Sequence, residues 1–286
     1  MYALNKNTRF SVMTPVGVTE EAERGPGVGQ GTGEGALISA LNLDSGVRNF
    51  FCSSDSEVSY GPVKLAPVLF QDDIARLTLN IKSAQQGNKR MEAMAETKLL
   101  DYNLEKSSFM IIGNQKSKKK IEQELLENPL LFCGKPMVQV DEVKYLGDWL
   151  SSEGLSKSVE ITVNKRLGLA KHAIFEIRAI LDDCRINVVG GLQTGILIWE
   201  SAIIPKLLYN SECWFNVPKQ TLKNLENLQL RFLRMLFAVG MGCPIPILYW
   251  DTGCLPMKYR ILKNKLLFLH HVATLPENTL AREIFE

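Results

Sequence analysis

Beyond Ser158 the chain keeps one period: Val163, Leu167, Ala170, Ile174, Ile177 and Leu181 recur at spacings of three and four, which lines one apolar face of a long helix. Segments 190–209, 218–237 and 256–275 continue the helical pattern, with Pro218 and Pro256 at the start of theirs, where a missing amide donor costs least. The preceding residues follow a different rule. The first sixty are rich in glycine and small polar residues and read as loops and short strands, Phe10-Ser11-Val12-Met13 among them. They surround one helix that begins near Glu34, carries Ala36, Leu37, Ala40 and Leu41, and is closed by Gly46. Residues 63–79 are rich in Val, Leu and Ile and are interrupted by Gln71-Asp72-Asp73, a pattern that predicts strand, tight turn, strand, with Pro67 tolerable near the strand's start. Helix-forming composition follows over 80–102, with Met91, Met94, Leu99 and Leu100 available for burial. A strand over 107–112, a short helix over 119–127 and extended chain over 143–150 complete this half. The expected fold class is α+β, with a mixed domain over 1–155, a boundary in Ser151-Ser152-Glu153-Gly154 and an all-helical domain over 156–286.

Composition serves mainly to exclude. The net charge is +2, and from Ser158 onward 15 Lys and Arg face 11 Asp and Glu, an asymmetry too mild to name a partner. Six cysteines lie far apart with no Cys-x-x-Cys pair and no histidine at ligand spacing, which argues against a zinc site and for free thiols. Lys6 and Arg9 are followed by no apolar leader. The most apolar stretch, 195–209, is interrupted by Glu200, Pro205 and Lys206 and is too short to span a bilayer. These features predict an intracellular chain, nuclear or cytoplasmic, with no membrane partner.

Asp72-Asp73 is the sharpest chemical feature. Adjacent carboxylates at a hairpin tip repel each other and gain from a divalent cation, and phosphoryl transfer uses magnesium held by carboxylates on a rigid sheet. Read alone, such a pair equally fits a solvated turn, just as Asp182-Asp183 fits a helix end. Order separates the two readings. Gly27-Val28-Gly29-Gln30-Gly31 precedes Leu69-Phe70-Gln71-Asp72-Asp73, and Asn103-Leu104-Glu105-Lys106-Ser107 and then Lys144-Tyr145-Leu146-Gly147 follow it. In this order the four segments resemble the later palm motifs of reverse transcriptases of the non-LTR retrotransposon (LINE) type. Residues 204–209, with Glu212 and Trp214 following, and residues 249–269 resemble the helical continuation after the palm in that family.

The resemblance implies a partial polymerase palm, an antiparallel sheet with helices, followed by an all-α thumb-like domain. It implies that Gln30 and Gly31 lie against template and incoming nucleotide, where small residues let the backbone approach the bases. Phe70 and Gln71 would belong to the same substrate-binding site, standing where tyrosine and alanine are often found. Asp72 and Asp73 would be the catalytic carboxylates that hold Mg2+. Lys106 would serve the triphosphate by neutralising charge or donating a proton to the leaving pyrophosphate; without the resemblance it reads as a solvated lysine before a strand. Lys144, Tyr145 and Gly147 would form the primer-grip hairpin. Lys165, Arg166, Lys171 and Arg178 lie largely away from the apolar seam of the long helix, and either track a duplex backbone or solvate an amphipathic face. The same two readings hold for Lys116, Lys118, Lys119 and Lys120. The implied partners are an RNA template with a DNA primer, or an RNA–DNA hybrid. In the family a third carboxylate and the fingers precede the glycine–glutamine motif. Neither has a counterpart here, since Asp44 and Asp55 fall downstream of that position. The expected function is a fragment of an RNA-directed DNA polymerase, inactive alone because two-metal alignment fails; the alternative is a non-catalytic RNA- or DNA-binding remnant or domesticated module.

Overall fold

The computed structural model describes residues 9–285 apart from 12, 15–16, 21, 24–32, 52–57, 62, 66, 99, 184–187 and 278. Helices and small antiparallel β-ladders make up the chain, which forms two compact units, Met1–Ser108 with Lys120–Val138, and Phe109–Lys119 with Gln139–Glu286. Among the described residues every ladder has two strands, and no helix is long and apolar enough to cross a membrane.

In the first unit, helix α1 (Gly33–Phe50) runs through Gly46 instead of ending there. Packing explains the glycine: a Cβ at Gly46 would stand 2.9 Å from Met94 Sδ on α2 (Ile81–Lys98), so its absence lets the two helices approach. Asn80 caps α2, its Oδ1 accepting from Ser83 N at 2.9 Å. Val47 and Phe51 meet Met91, Met94 and Phe132 in a small core, with Leu69 and Ile74 packed against it. The opposite edge of α2 is polar for a reason. Gln85, Asn88 and Glu92 share one face and hold the hairpin Leu131–Phe132/Lys135–Pro136 by its backbone. Gln85 and Asn88 donate to Leu131 O at 3.0 and 2.7 Å, Gln85 Oε1 accepts from Leu131 N at 2.9 Å, and Glu92 accepts from Cys133 N at 2.6 Å. These side chains do for the hairpin what a third strand would do. Helix α3 (Gln115–Glu127), which is divided between the two units after Lys119, starts ahead of the expected Lys119 because Asn114 Oδ1 accepts from Ser117 N at 2.8 Å. The strand expected over 107–112 is confined to Ser108–Phe109.

In the second unit, 143–150 is a hairpin rather than one extended run: Glu142–Tyr145 pairs with Asp148–Ser151 across Leu146-Gly147. Both turn residues have positive φ, 47° and 88°, the geometry whose twist matches the flanking strands. Helix α4 (Leu155–Asp183) grips that hairpin from one face. Thr162 Oγ1 accepts from Trp149 N and Ser158 Oγ from Ser151 N, each at 2.8 Å. The hairpin therefore belongs with the helices, and the compact units divide ahead of residue 155, after Val138. Val163, Leu167, Ala170 and Ile177 are buried and Ile174 is half-buried, as one apolar face requires.

Helix α5 (Val188–Ile198) passes through a π-helical turn (Trp199–Ile203) into the short α6 (Ile204–Leu207), which has Pro205 as its second residue. A proline cannot donate to the preceding turn, and the wider turn absorbs that loss. Helices α7 (Lys219–Leu236), α8 (Ile245–Thr252), α9 (Met257–Thr274) and α10 (Leu280–Phe285) follow, with Pro218 and Pro256 at the starts of α7 and α9. Trp199 stacks on Phe232 at 4.5 Å in the core, together with Val163, Leu207, Leu225, Leu233, Leu248 and Met257.

Candidate functional site

The acidic hairpin lies in the first unit. Val68–Phe70 pairs with Asp73–Ala75, with Leu69 opposite Ile74 and Phe70 opposite Asp73, so Gln71 and Asp72 form a two-residue turn. Pro67 stands just ahead of the ladder, where its missing donor is harmless. Alternation sends Leu69 and Ile74 into the core and leaves Val68, Phe70, Gln71, Asp72 and Asp73 exposed. Gln71 has φ 55°, so the turn takes its left-handed residue at the first central position. Both carboxylates thus project into solvent from a short hairpin anchored by one apolar pair.

Arg76, immediately after the hairpin, ties it to α2. Its Nη2 donates to Ala84 O at 2.6 Å and to Asn88 Oδ1 at 2.8 Å. The guanidinium occupies the space that a side chain on Gly87 would fill. Its Nη1 is buried and has no hydrogen-bond partner among the described residues. Burial, and after it the charge of Arg90, depresses the Arg76 pKa below its ordinary value. Lys106 is exposed on a turn of the same unit, where the Asn103 side chain accepts from its backbone N at 3.2 Å. Gln30 and Gly31 lie outside the described residues.

The remaining candidates lie in the second unit. Lys144 is exposed and Tyr145 half-buried on the hairpin Glu142–Ser151, and Gly147 holds its turn. A Cβ on Gly147 would meet Tyr209 Cε1 at 3.0 Å. Arg166 is turned inward. It donates to Gly147 O at 2.9 Å and Tyr209 O at 2.6 Å, and forms a short ion pair with Asp148, both side chains nearly buried. Asn210 Nδ2 donates to the other Asp148 oxygen at 2.6 Å. Burial depresses the Arg166 pKa, and Asp148 opposes that. Arg166 therefore holds together α4, the hairpin turn and the chain after α6, and its guanidinium is not presented to a ligand. Lys165 lies over the Trp149 ring at 3.0 Å and pairs with Glu142 at 3.5 Å. Lys171 and Arg178 are exposed on α4. In the lysine run, Lys118 donates to Ser152 O at 2.7 Å and Lys116 and Lys119 are exposed, as is Lys120, which already belongs to the first unit.

Among the described residues no group of three or more His, Cys, Asp and Glu side chains is placed to hold a metal ion. Two polar sets escaped the reading of the sequence: the α2 clamp of Gln85, Asn88 and Glu92, and the Arg166–Asp148–Asn210 knot. The first had a signal, polar residues at helical spacing on one edge of α2. The second had none, because its members come from segments far apart in the chain. Comparison with family models, with curated proteins and with solved structures returns no match.

Proposed function

We propose that the chain is a fragment of a non-LTR-type reverse transcriptase, an RNA-directed DNA polymerase, that does not polymerise alone and retains binding to an RNA–DNA hybrid or to RNA. We read the first unit as a palm remnant and α4 with the following helices as thumb-like, working inside the cell in the nucleus or cytoplasm. The observation that carries this reading is the acidic pair: Asp72, in the two-residue turn, and Asp73, the first residue of the strand after it, both stand exposed at the hairpin tip, in sequence order with the three other motifs. Carboxylate oxygens are the donors Mg2+ prefers, so the pair fits the ion in kind. Asp72 and Asp73 would hold it, with water in the remaining positions, and a bound ion would neutralise and orient phosphate oxygens. Lys106 would add a cation for the triphosphate, and Lys144, Lys171 and Arg178 the contacts to the duplex backbone.

The test has two parts. Purified chain given Mg2+, a primer and an RNA template should extend nothing; extension abolished by Asp72→Ala would overturn inactivity while supporting the family. Hybrid-duplex affinity should fall log-linearly with added salt, and Lys171→Ala combined with Lys144→Ala should flatten that slope by about 1 to 2. Absence of hybrid binding at low salt would remove the binding part of the reading.

A further inference from the structure

Helix α9 has two apolar stripes, one largely buried and the other exposed along its length. Met257, Ile261 and Val272 are buried on the inner stripe, where Asn264 Nδ2 also donates to Ser211 Oγ at 2.8 Å. On the outer side Tyr259, Leu262, Leu266 and Leu269 are 54%, 47%, 56% and 46% exposed, and Ala273 continues the line, while Leu267 lies exposed between the stripes and Phe268, on the inner one, is still 43% exposed. Their spacing, three and four in strict alternation, is that of the a and d positions of a coiled coil. A solvated face of a globular helix has no need of that register, and four large apolar side chains in one line are a docking signature rather than scattered exposure.

The flanking charges say what would dock. Positions beside the seam, equivalent to e and g, are Lys258, Lys263, Lys265 and His270, and 257–274 contains no Asp or Glu. Lys265 also donates to Trp214 O at 2.5 Å, while Lys258, Lys263 and His270 are exposed. A second copy of α9 would set cation against cation in either direction, which disfavours self-pairing. Nucleic acid would match the lysines, but it has no surface to receive Leu262, Leu266 and Leu269. We infer that α9 is a docking helix for an acidic amphipathic helix of another protein, its Leu seam against Tyr259, Leu262, Leu266 and Leu269 and its Glu or Asp flanks against Lys258 and Lys263. The inner stripe packs α9 against the core through Met257 and Ile261, so the receiving face is already helical before the partner arrives.

The probe is a fluorescent three-heptad peptide with Leu at a and d and Glu at e and g, whose own self-pairing is suppressed by its charge, titrated with the full chain. Saturable binding is expected, weakened at least tenfold by Leu262→Ala with Leu266→Ala, whose exposed positions leave the far-ultraviolet spectrum and thermal melt unchanged. A peptide with Lys in place of Glu should bind at least tenfold more weakly, and Lys258→Glu with Lys263→Glu should reverse that preference. No saturable binding, or equal binding of the two peptides, would overturn the proposal. So would a chain dimer that dissociates in the Leu262→Ala, Leu266→Ala variant, which assigns the face to a second copy, or hybrid-duplex affinity that drops tenfold in it, which assigns the face to nucleic acid.

Discussion

Gln229 is the most consequential polar residue of the second unit. Fully buried, it accepts from Trp199 Nε1 at 3.2 Å and donates to Leu255 O at 2.9 Å. Gln229→Leu keeps the volume but strands an indole N–H and a carbonyl, so denaturant unfolding should show a loss of about 1–3 kcal/mol. Gln71 works the other way. Its left-handed φ of 55° is disfavoured for a side chain with a Cβ, and Gln71→Gly should stabilise the first unit by roughly 1 kcal/mol with both carboxylates untouched. Gly87 could not be valued from sequence, since a glycine within a helix ordinarily weakens it. Its worth comes from Arg76: Gly87→Ala should expel the guanidinium and loosen the acidic hairpin, at a cost of roughly 1–3 kcal/mol. Faster amide exchange at Asp73 and Ala75, the ladder donors of that strand, would report the loosening, and unchanged exchange would show that Arg76 is no anchor.

At the scale of elements, the hairpin Glu142–Ser151 and α4 form one piece through the Arg166–Asp148 pair and the Ser158 and Thr162 hydroxyls. Removing one member of a buried pair leaves an uncompensated charge, so Arg166→Met should cost about 3–5 kcal/mol, whereas Arg166→Met with Asp148→Leu should cost less than Arg166→Met alone. Equal losses in the single and double variants would mean that the pair is not coupled. Element existence was largely legible in the sequence: α1, α2, α4, α7 and α9 follow from local period and start signals, and the acidic turn from an apolar–polar–apolar pattern. The short α8 and α10 were not legible, because eight and six residues are too few to display a stripe. Gly46 was read as a helix end because a glycine stop and a glycine at a close helix crossing look identical until the partner helix is known.

Over the whole molecule, acid should weaken the second unit through Glu200, whereas alkali should act on both units, because burial raises Tyr102 in the first and Tyr249 in the second. Burial raises the Glu200 pKa, but hydrogen bonds from Arg260, 2.7 Å to its Oε2, and the charge of that guanidinium overcome this and hold the carboxyl below its ordinary 4.5. A carboxylate depressed in the folded state stabilises it above the unfolded pKa and loses that contribution as pH falls through the folded value. The second unit should therefore weaken below about pH 4.5, and Glu200→Gln should flatten the dependence. All four tryptophans lie in that unit, so fluorescence reads it alone. In the first unit burial, then Cys133, pushes Tyr102 up to about 12. Its contribution is complete below 10.0 and lost as pH rises toward 12, so unfolding of that unit in alkali should coincide with phenolate absorbance and shift in Tyr102→Phe.

The sequence by itself determined where the longer helices run, that a tight turn carries Asp72 and Asp73 into solvent, and that the chain mixes α and β. These are consequences of local period and turn chemistry, which need only neighbours in the chain. Tertiary structure decided which cations face inward, as Arg166 does, which polar edge replaces a strand, as on α2, and which of the two apolar stripes of α9 is covered. Those outcomes depend on partners dozens of residues away, and a side chain's neighbours along the chain carry no record of what lies across from it in space.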